Sequence, residues 1–218
     1  MSIPDLRPVP RRRLLTASLM GSLAFTGCSL LRPSPPVLTQ FYALQSQPSP
    51  PTPPPARESG SNLPTLIVNP PHAAPGFDSS RIIFVRSNSQ LEYFANSEWV
   101  EPPARMLGPL LVAAIESTHA FGAVVLMPAS AAGELRLNTE LVRLQQSFQT
   151  QPSRVQFALR AHLVSERTRK VLYWREFQSE ALAASDTAQG GVAAAQLAIQ
   201  TVLTELAAFL SVRSMLPP

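Results

Sequence analysis

Two long stretches of this chain alternate between apolar and polar residues, and the elements can be read from that rhythm. Between 133 and 149, Leu135, Leu137, Thr139 and Leu141 share one face while Glu134, Arg136, Asn138 and Glu140 share the other. Period two over that length predicts a strand with one buried side. The apolar set changes parity at Val142 and Leu144, which predicts a bulge. After a turn at Gln151-Pro152-Ser153, Val155, Phe157, Leu159, Ala161 and Leu163 alternate against Gln156, Arg160 and His162. A second turn, Arg167 to Lys170, leads to a third meander strand over 171–180. Shorter strands are expected at Gln40 to Leu44, at Leu66-Ile67-Val68 before Asn69-Pro70-Pro71, and at Ala123 to Met127 before Pro128. Ile82 to Val85 is a continuous apolar run, consistent with burial on both faces, and Ser87-Asn88-Ser89 would turn it into a hairpin with 90–94.

The period changes to about 3.6 twice. Leu107, Leu110, Leu111, Ala114 and Ile115 predict a helix over about 104–118, entered through the stiff Glu98-Trp99-Val100-Glu101-Pro102-Pro103. Proline is tolerated in the first helical turn and disfavoured beyond it, so Pro109 offers an alternative in which the regular helix begins near Gly108. Val192, Gln196, Ile199, Leu203, Leu206 and Leu210 follow a 4-3-4-3-4 spacing and predict a second helix from Gly191 to about Val212. Asp186 would be its N-cap, with Gln189 reaching back in a capping box. Strands, helix, meander, helix is the order of an α+β fold: a single mixed or antiparallel sheet with two main helices packed on one face.

Two segments fall outside this pattern. Residues 47–62 are rich in Pro, Ser and Gly and carry too few apolar side chains to offset the entropy of ordering, so they read as a flexible insert inside the domain or as the domain boundary. The N-terminal segment has the layout of a secretory signal: Arg11-Arg12-Arg13, an apolar run from Leu14 to Phe25, then small residues. A span needs roughly 20 apolar residues, and this run is too short. The chain's single cysteine, Cys28, follows Thr26-Gly27 directly, and Ala24-Phe25-Thr26-Gly27-Cys28 resembles a bacterial lipobox with Phe25 where Leu is usual. The expected organisation is a signal peptide at 1–27, an acylated Pro-rich tether at 28–39, and a domain at 40–213. Two or more acyl chains on Cys28, at about 0.8 kcal/mol per buried CH₂, would make a stable membrane anchor. Ser29 rather than Asp follows the cysteine, and that favours the outer membrane, inner leaflet, facing the periplasm. Arg11-Arg12-Arg13-Leu14-Leu15 loosely resembles a twin-arginine signal without its usual flanking polar residue, and the general secretory route is favoured.

Charge changes once this leader is set aside. The whole chain carries +4, but residues 28–218 hold 14 basic and 13 acidic side chains. With no basic stripe and an exported address, nucleic acid is excluded as a partner. Catalytic chemistry is sparse as well. His72, His119 and His162 are far apart, none has metal-ligand spacing, and no phosphate loop or nucleophile elbow is present. Ser185 and Asp186 read as capping residues, and Glu98 and Glu101 as solvated loop charges. No catalytic residue, metal or cofactor is expected. Among the aromatics, Tyr93, Trp99 and Trp174 are the candidates for a partner surface, with core packing the alternative for each.

The order of Phe41-Tyr42-Ala43-Leu44, Asp78-Ser79-Ser80-Arg81-Ile82, Leu91-Glu92-Tyr93 and Trp99-Val100-Glu101-Pro102 behind a lipobox resembles the ABC-type transport auxiliary lipoproteins, the PqiC-like family. The resemblance runs through the closing Ala-rich helix, and the Pro-rich insert after Leu44 departs from it. It implies a compact α+β domain that works beside an ABC permease, its ATPase and a periplasmic MCE-domain protein. It also implies a part in moving phospholipid or other hydrophobic molecules between membranes, without catalysis by this subunit. A homo-oligomer is compatible with the sequence. A lipoprotein that assists outer-membrane assembly and a tethered periplasmic hydrolase are the rival readings.

Overall fold

The computed structural model describes residues 37–45, 63–88 and 90–214. The predicted signal peptide, Cys28, the tether up to 36 and all of the Pro-rich insert at 47–62 lie outside the described residues. The fold below is that of the unit from Leu38 onward.

Among the described residues, nine strands and two helices form one mixed sheet with two helices on it, the α+β class read from the sequence. In chain order they are β1 (Gln40–Tyr42), β2 (Thr65–Val68), β3 (His72–Ala73), β4 (Arg81–Ser87), β5 (Gln90–Trp99), α1 (Pro103–Glu116), β6 (Ala123–Leu126), β7 (Leu135–Ser147), β8 (Arg154–Ser165), β9 (Val171–Leu182) and α2 (Ala188–Ser214).

The sheet is built outward from β7. Along one edge it pairs antiparallel with β8, from Leu135 opposite Ser165 to Ser147 opposite Arg154, and β8 pairs antiparallel with β9. Its other edge is shared in parallel by β2, β3 and β4 in succession, at Leu135 to Leu137, Glu140 to Leu141 and Gln146 to Ser147. Two branches grow from there: β2 carries β6 in parallel, and β4 carries β5 antiparallel, which carries β1 in parallel. The predicted bulge is present, since the β8 register shifts between Leu141 and Arg143. It returns Leu144 and Gln146 to the side on which Leu137, Thr139 and Leu141 are buried, so one strand serves one core over its whole length.

Three expectations are corrected. β5 extends to Trp99, so Glu98 and Trp99 belong to a strand rather than to a stiff helix entry. The helix α1 begins at Pro103 and runs through Pro109, so the alternative start near Gly108 does not occur. Pro109 is exposed, which turns the carbonyl left unpaired four residues earlier toward water, and Gly108 has no Cβ to collide with the proline ring. Gly108 is also buried close to Leu126 and Pro71. The cap of α2 is Thr187, whose Oγ1 accepts from the Gly190 N–H at 3.2 Å, while Asp186 Oδ1 accepts from the Ser153 N–H at 3.2 Å and ties the helix entry to the β7–β8 turn.

Both helices bury against the same side of the sheet. Leu107, Leu111 and Ile115 of α1 share one core with Leu66, Val68 and Leu137, and α2 crosses β8 and β9 beside α1. The buried face of α2 is wider than the predicted single stripe. Ala194, Ala198 and Val202 form a second buried row next to Ala195, Ile199, Leu203 and Leu206, and the small side chains let the helix lie close. By length and composition alone α2 could cross a membrane, but it is the central core helix of this domain.

Helix α2 approaches β7 closely at Gly191. Gln146 is buried, its Nε2 donates to Ser153 Oγ at 2.9 Å, and its Oε1 has no hydrogen-bond partner. That oxygen lies 2.1 Å from where a Cβ on residue 191 would stand. Gly191→Ala is therefore expected to lower stability by about 1–3 kcal/mol through overpacking. Denaturant melts should show most of that loss recovered in Gly191→Ala combined with Gln146→Ala; additivity within about 0.5 kcal/mol would mean the two residues do not meet.

Candidate functional site

The side of β7–β8–β9 away from the helices is an open polar face. The registers place Arg136, Asn138, Glu140, Arg143 and Gln145 of β7 beside Val164, His162, Arg160, Ala158 and Gln156 of β8. Trp174, Glu176, Gln178, Glu180 and Leu182 of β9 complete it. Arg160 sits at the centre. Its Nη1 donates to Glu140 at 2.9 Å, and its Nε and Nη2 donate to Glu176 at 3.2 and 2.8 Å, so one guanidinium staples three strands. Arg154 and Gln156 donate to Glu180 at 3.0 and 2.8 Å. At the far end Arg136 bonds Glu166 and donates to Asn69 at 2.8 Å, and Asn69 in turn donates to Asn138 at 2.7 Å.

These contacts hold three carboxyls below the usual range. The Arg160 hydrogen bond is the main cause at Glu176, with Gln178 adding to it. Arg154 and then Gln156 do the same at Glu180, and Arg136 at Glu166. Arg143 is exposed and lowers both Glu176 and Glu180 through its charge. Carboxylates stabilised in this way are structural ion pairs, the opposite of a general acid poised near neutrality.

One end of this face differs. Trp174 is 65% exposed and lies on His162, ring centroids 6.4 Å apart and 23° between planes. Exposed Val171 lies close by on the same strand, and the β8–β9 turn brings exposed Arg167, Arg169 and Lys170 next to them in the chain. Arg169 takes a left-handed backbone, φ 59°, at that turn and pairs with Glu166 at 3.3 Å. An exposed indole with apolar and basic neighbours is the composition of an interface anchor.

The three aromatics proposed from the sequence do not form one surface. Trp99 is 3% exposed and packs in the main core, because β5 continues to it and parallel β1 covers it through Tyr42. It is removed from the partner surface. Tyr93 is 52% exposed under the Arg81 guanidinium, 3.9 Å from the ring centroid, but it stands on β5, four strands from Trp174. That is about 19 Å across the sheet. Cys28 lies outside the described residues. His72 and His119 are exposed, in β3 and after α1, and the three histidines are not brought together. Among the described residues no group of three or more His, Cys, Asp or Glu could hold a metal ion. A cavity of about 10 Å³, lined by Trp99, Gln145, Gln146 and Gly191 among others, has room for roughly one water and none of the histidines on its wall.

The basic turn and the Arg160 staple were not singled out in the sequence. A signal was there: on a strand whose other face is apolar, Arg160 alternates with His162 and Arg154, and Glu176 with Glu180, in register for cross-strand pairs.

The fold and this polar face define an α+β domain with two helices on one side of a mixed sheet and an open, ion-paired face on the other. The profile of the ABC-type transport auxiliary lipoprotein component family matches residues 42–207, and the chain belongs to that family. The structure resembles the crystal structure of a Xanthomonas campestris protein of the DUF330 family, with TM-score 0.68 and 23% identity over 80% of this chain and 95% of that one. It also resembles the crystal structure of an uncharacterized protein, TM-score 0.59 and 15% identity over 81% of this chain and 98% of that one. At these identities the likeness establishes the fold. No curated protein matches the chain.

Lowered carboxyl pKa values make stability depend on pH with a definite sign. Glu166, Glu176 and Glu180 contribute fully above the unfolded value of about 4.3, and the contribution is lost as pH falls through their lower folded values. The thermal midpoint should hold between pH 7 and pH 5 and fall below about pH 4. Glu176→Gln should flatten that acid limb, and an unchanged limb would show that the network does not carry it.

Proposed function

We propose that the chain is a lipid-anchored, non-catalytic subunit of an ABC transport system of the bacterial envelope. In this reading acyl chains on Cys28 hold it in the inner leaflet of the outer membrane, facing the periplasm. The domain docks a periplasmic MCE-domain protein and, through it, an ABC permease and ATPase that move phospholipid or other hydrophobic molecules between the membranes. The observation that carries the reading is the family match over 42–207, and the leader ending at Cys28 supports the anchor.

Tethering explains how a domain of this kind acts without chemistry of its own. A partner bound on a tethered domain is held at an effective concentration that a weak contact alone does not reach. The docking surface we assign is the end of the open face with Trp174 and the basic turn, and Tyr93 is at most a secondary contact. The outer edge of β9 has no strand beside it among the described residues and leaves room for a homo-oligomer as well.

Crosslinking followed by affinity purification from detergent extracts should recover an MCE-domain protein with the wild-type chain. An exposed tryptophan acting as a binding hot spot contributes about 2 kcal/mol or more, so Trp174→Ser should lower recovery by roughly 30-fold, with thermal stability almost unchanged. Repeated failure with the wild type counts against the MCE partnership, and full recovery with Trp174→Ser moves the docking surface elsewhere.

A further inference from the structure

The β1 edge of the sheet carries an unexplained apolar group. β1 is an edge strand, and Phe41, 63% exposed, sits opposite Glu98 of β5 on the side away from the core-facing Tyr42 and Trp99. Val100, next along that chain and donating its N–H to the Tyr42 carbonyl at 2.8 Å, is 53% exposed, and Leu38 is 81% exposed. Glu98 and Arg81, opposite each other on the same branch, contribute one charge of each sign, so this edge has no excess of charge from that pair. Short edge strands are ordinarily guarded by charge, twist or cover, and large apolar side chains there are a liability unless something occupies them.

What occupies them follows from where the chain comes from. Ten residue steps separate Cys28 from Leu38, and a chain reaches at most about 3.6 Å per step, so Leu38 stays within roughly 35 Å of an acylated Cys28. The first residues of the domain after that tether are the exposed ones. The domain is also held there from inside. Leu44 is buried, and Gln196 of α2 grips Gln45, accepting from its N–H at 3.1 Å and donating to its carbonyl. The tether therefore enters the fold at a fixed place, and the apolar side chains lie at that entry.

We propose that Phe41 and Val100 form a membrane-contacting lip that rests in the headgroup and upper acyl region of the bilayer to which the chain is tethered. The inference rests on acylation of Cys28. It adds that the domain lies against the lipid by its β1 edge and does not hang free on the tether. The occupant is the lipid surface itself. The lip is small, so it adds orientation to an attachment that the acyl chains make permanent. With β1 down, β9 and Trp174 lie at the opposite edge, five strand spacings or about 24 Å away, facing the periplasm.

The test places a tryptophan at the lip by Phe41→Trp in the full acylated chain. That chain is reconstituted in vesicles of phosphatidylethanolamine and phosphatidylglycerol, with and without lipids brominated near the top of the acyl chains. The emission added by the substitution should fall several-fold on brominated vesicles, while the parent chain, reporting buried Trp99 and exposed Trp174, stays unquenched. Val100→Trp is the second reporter should Phe41→Trp disturb β1. Intact mass of the same sample reports the anchor separately. An acylated chain unquenched at both positions overturns the lip and leaves the anchor standing. A chain that is unacylated, unquenched and not retained on vesicles overturns both.

Discussion

The double pairing of β7 is the constraint from which the rest of this domain follows. One strand is hydrogen-bonded along one edge to a full-length antiparallel neighbour, and along the other to three short parallel strands placed end to end. A strand committed on both edges cannot slip register, because a shift of one residue would turn Leu137, Leu141 and Leu144 out of the core together. The bulge at Val142 is the one adjustment it allows, and it keeps both halves of the strand on the same core. With β7 fixed, the two branches diverge from it, and the helices close one side of the trunk while the polar face stays open.

That architecture sets two of the sheet's edges far apart. On the β5–β1 branch lies the point where the chain enters the domain, and at β9 lies the exposed Trp174 beside a basic turn. Between them the open face is crosslinked by Arg160, Arg154 and Arg136, whose carboxylate partners are held ionised. The three strands β7, β8 and β9 stapled in this way form a stiff plate. For a subunit proposed to connect a lipid anchor to a protein partner, stiffness in the part that carries the partner surface is the useful property, because a deformable plate would lose the orientation that the anchor imposes.

Much of this was legible in the residues, for a physical reason. Half-buried antiparallel strands write their period into the sequence, so β7, β8, β9 and even the Val142 bulge could be read directly. Trp99 could not, because an indole after a polar stretch looks the same whether a further strand covers it or solvent does, and the cover here is β1, more than fifty residues earlier. Pro109 misled because helix rules are local, whereas its tolerance depends on an exposed position and a glycine before it. Asp186 and Thr187 are both good caps by type, and the choice was made by Ser153, whose N–H claims the aspartate from across the β7–β8 turn. The candidate surface was hidden in the same way: Tyr93, Trp99 and Trp174 look equivalent in sequence, and only the branch geometry places them on a free face, in the core and at an edge.

The central claim is that opposite edges of one sheet meet different things, lipid at β1 and protein at β9. It is tested most directly by photocrosslinking in living cells, with a photoreactive residue introduced at position 41 in one strain and at position 174 in another. The account predicts phospholipid adducts from position 41 and a discrete protein adduct from position 174. Protein adducts from 41, or lipid adducts from 174, would contradict it.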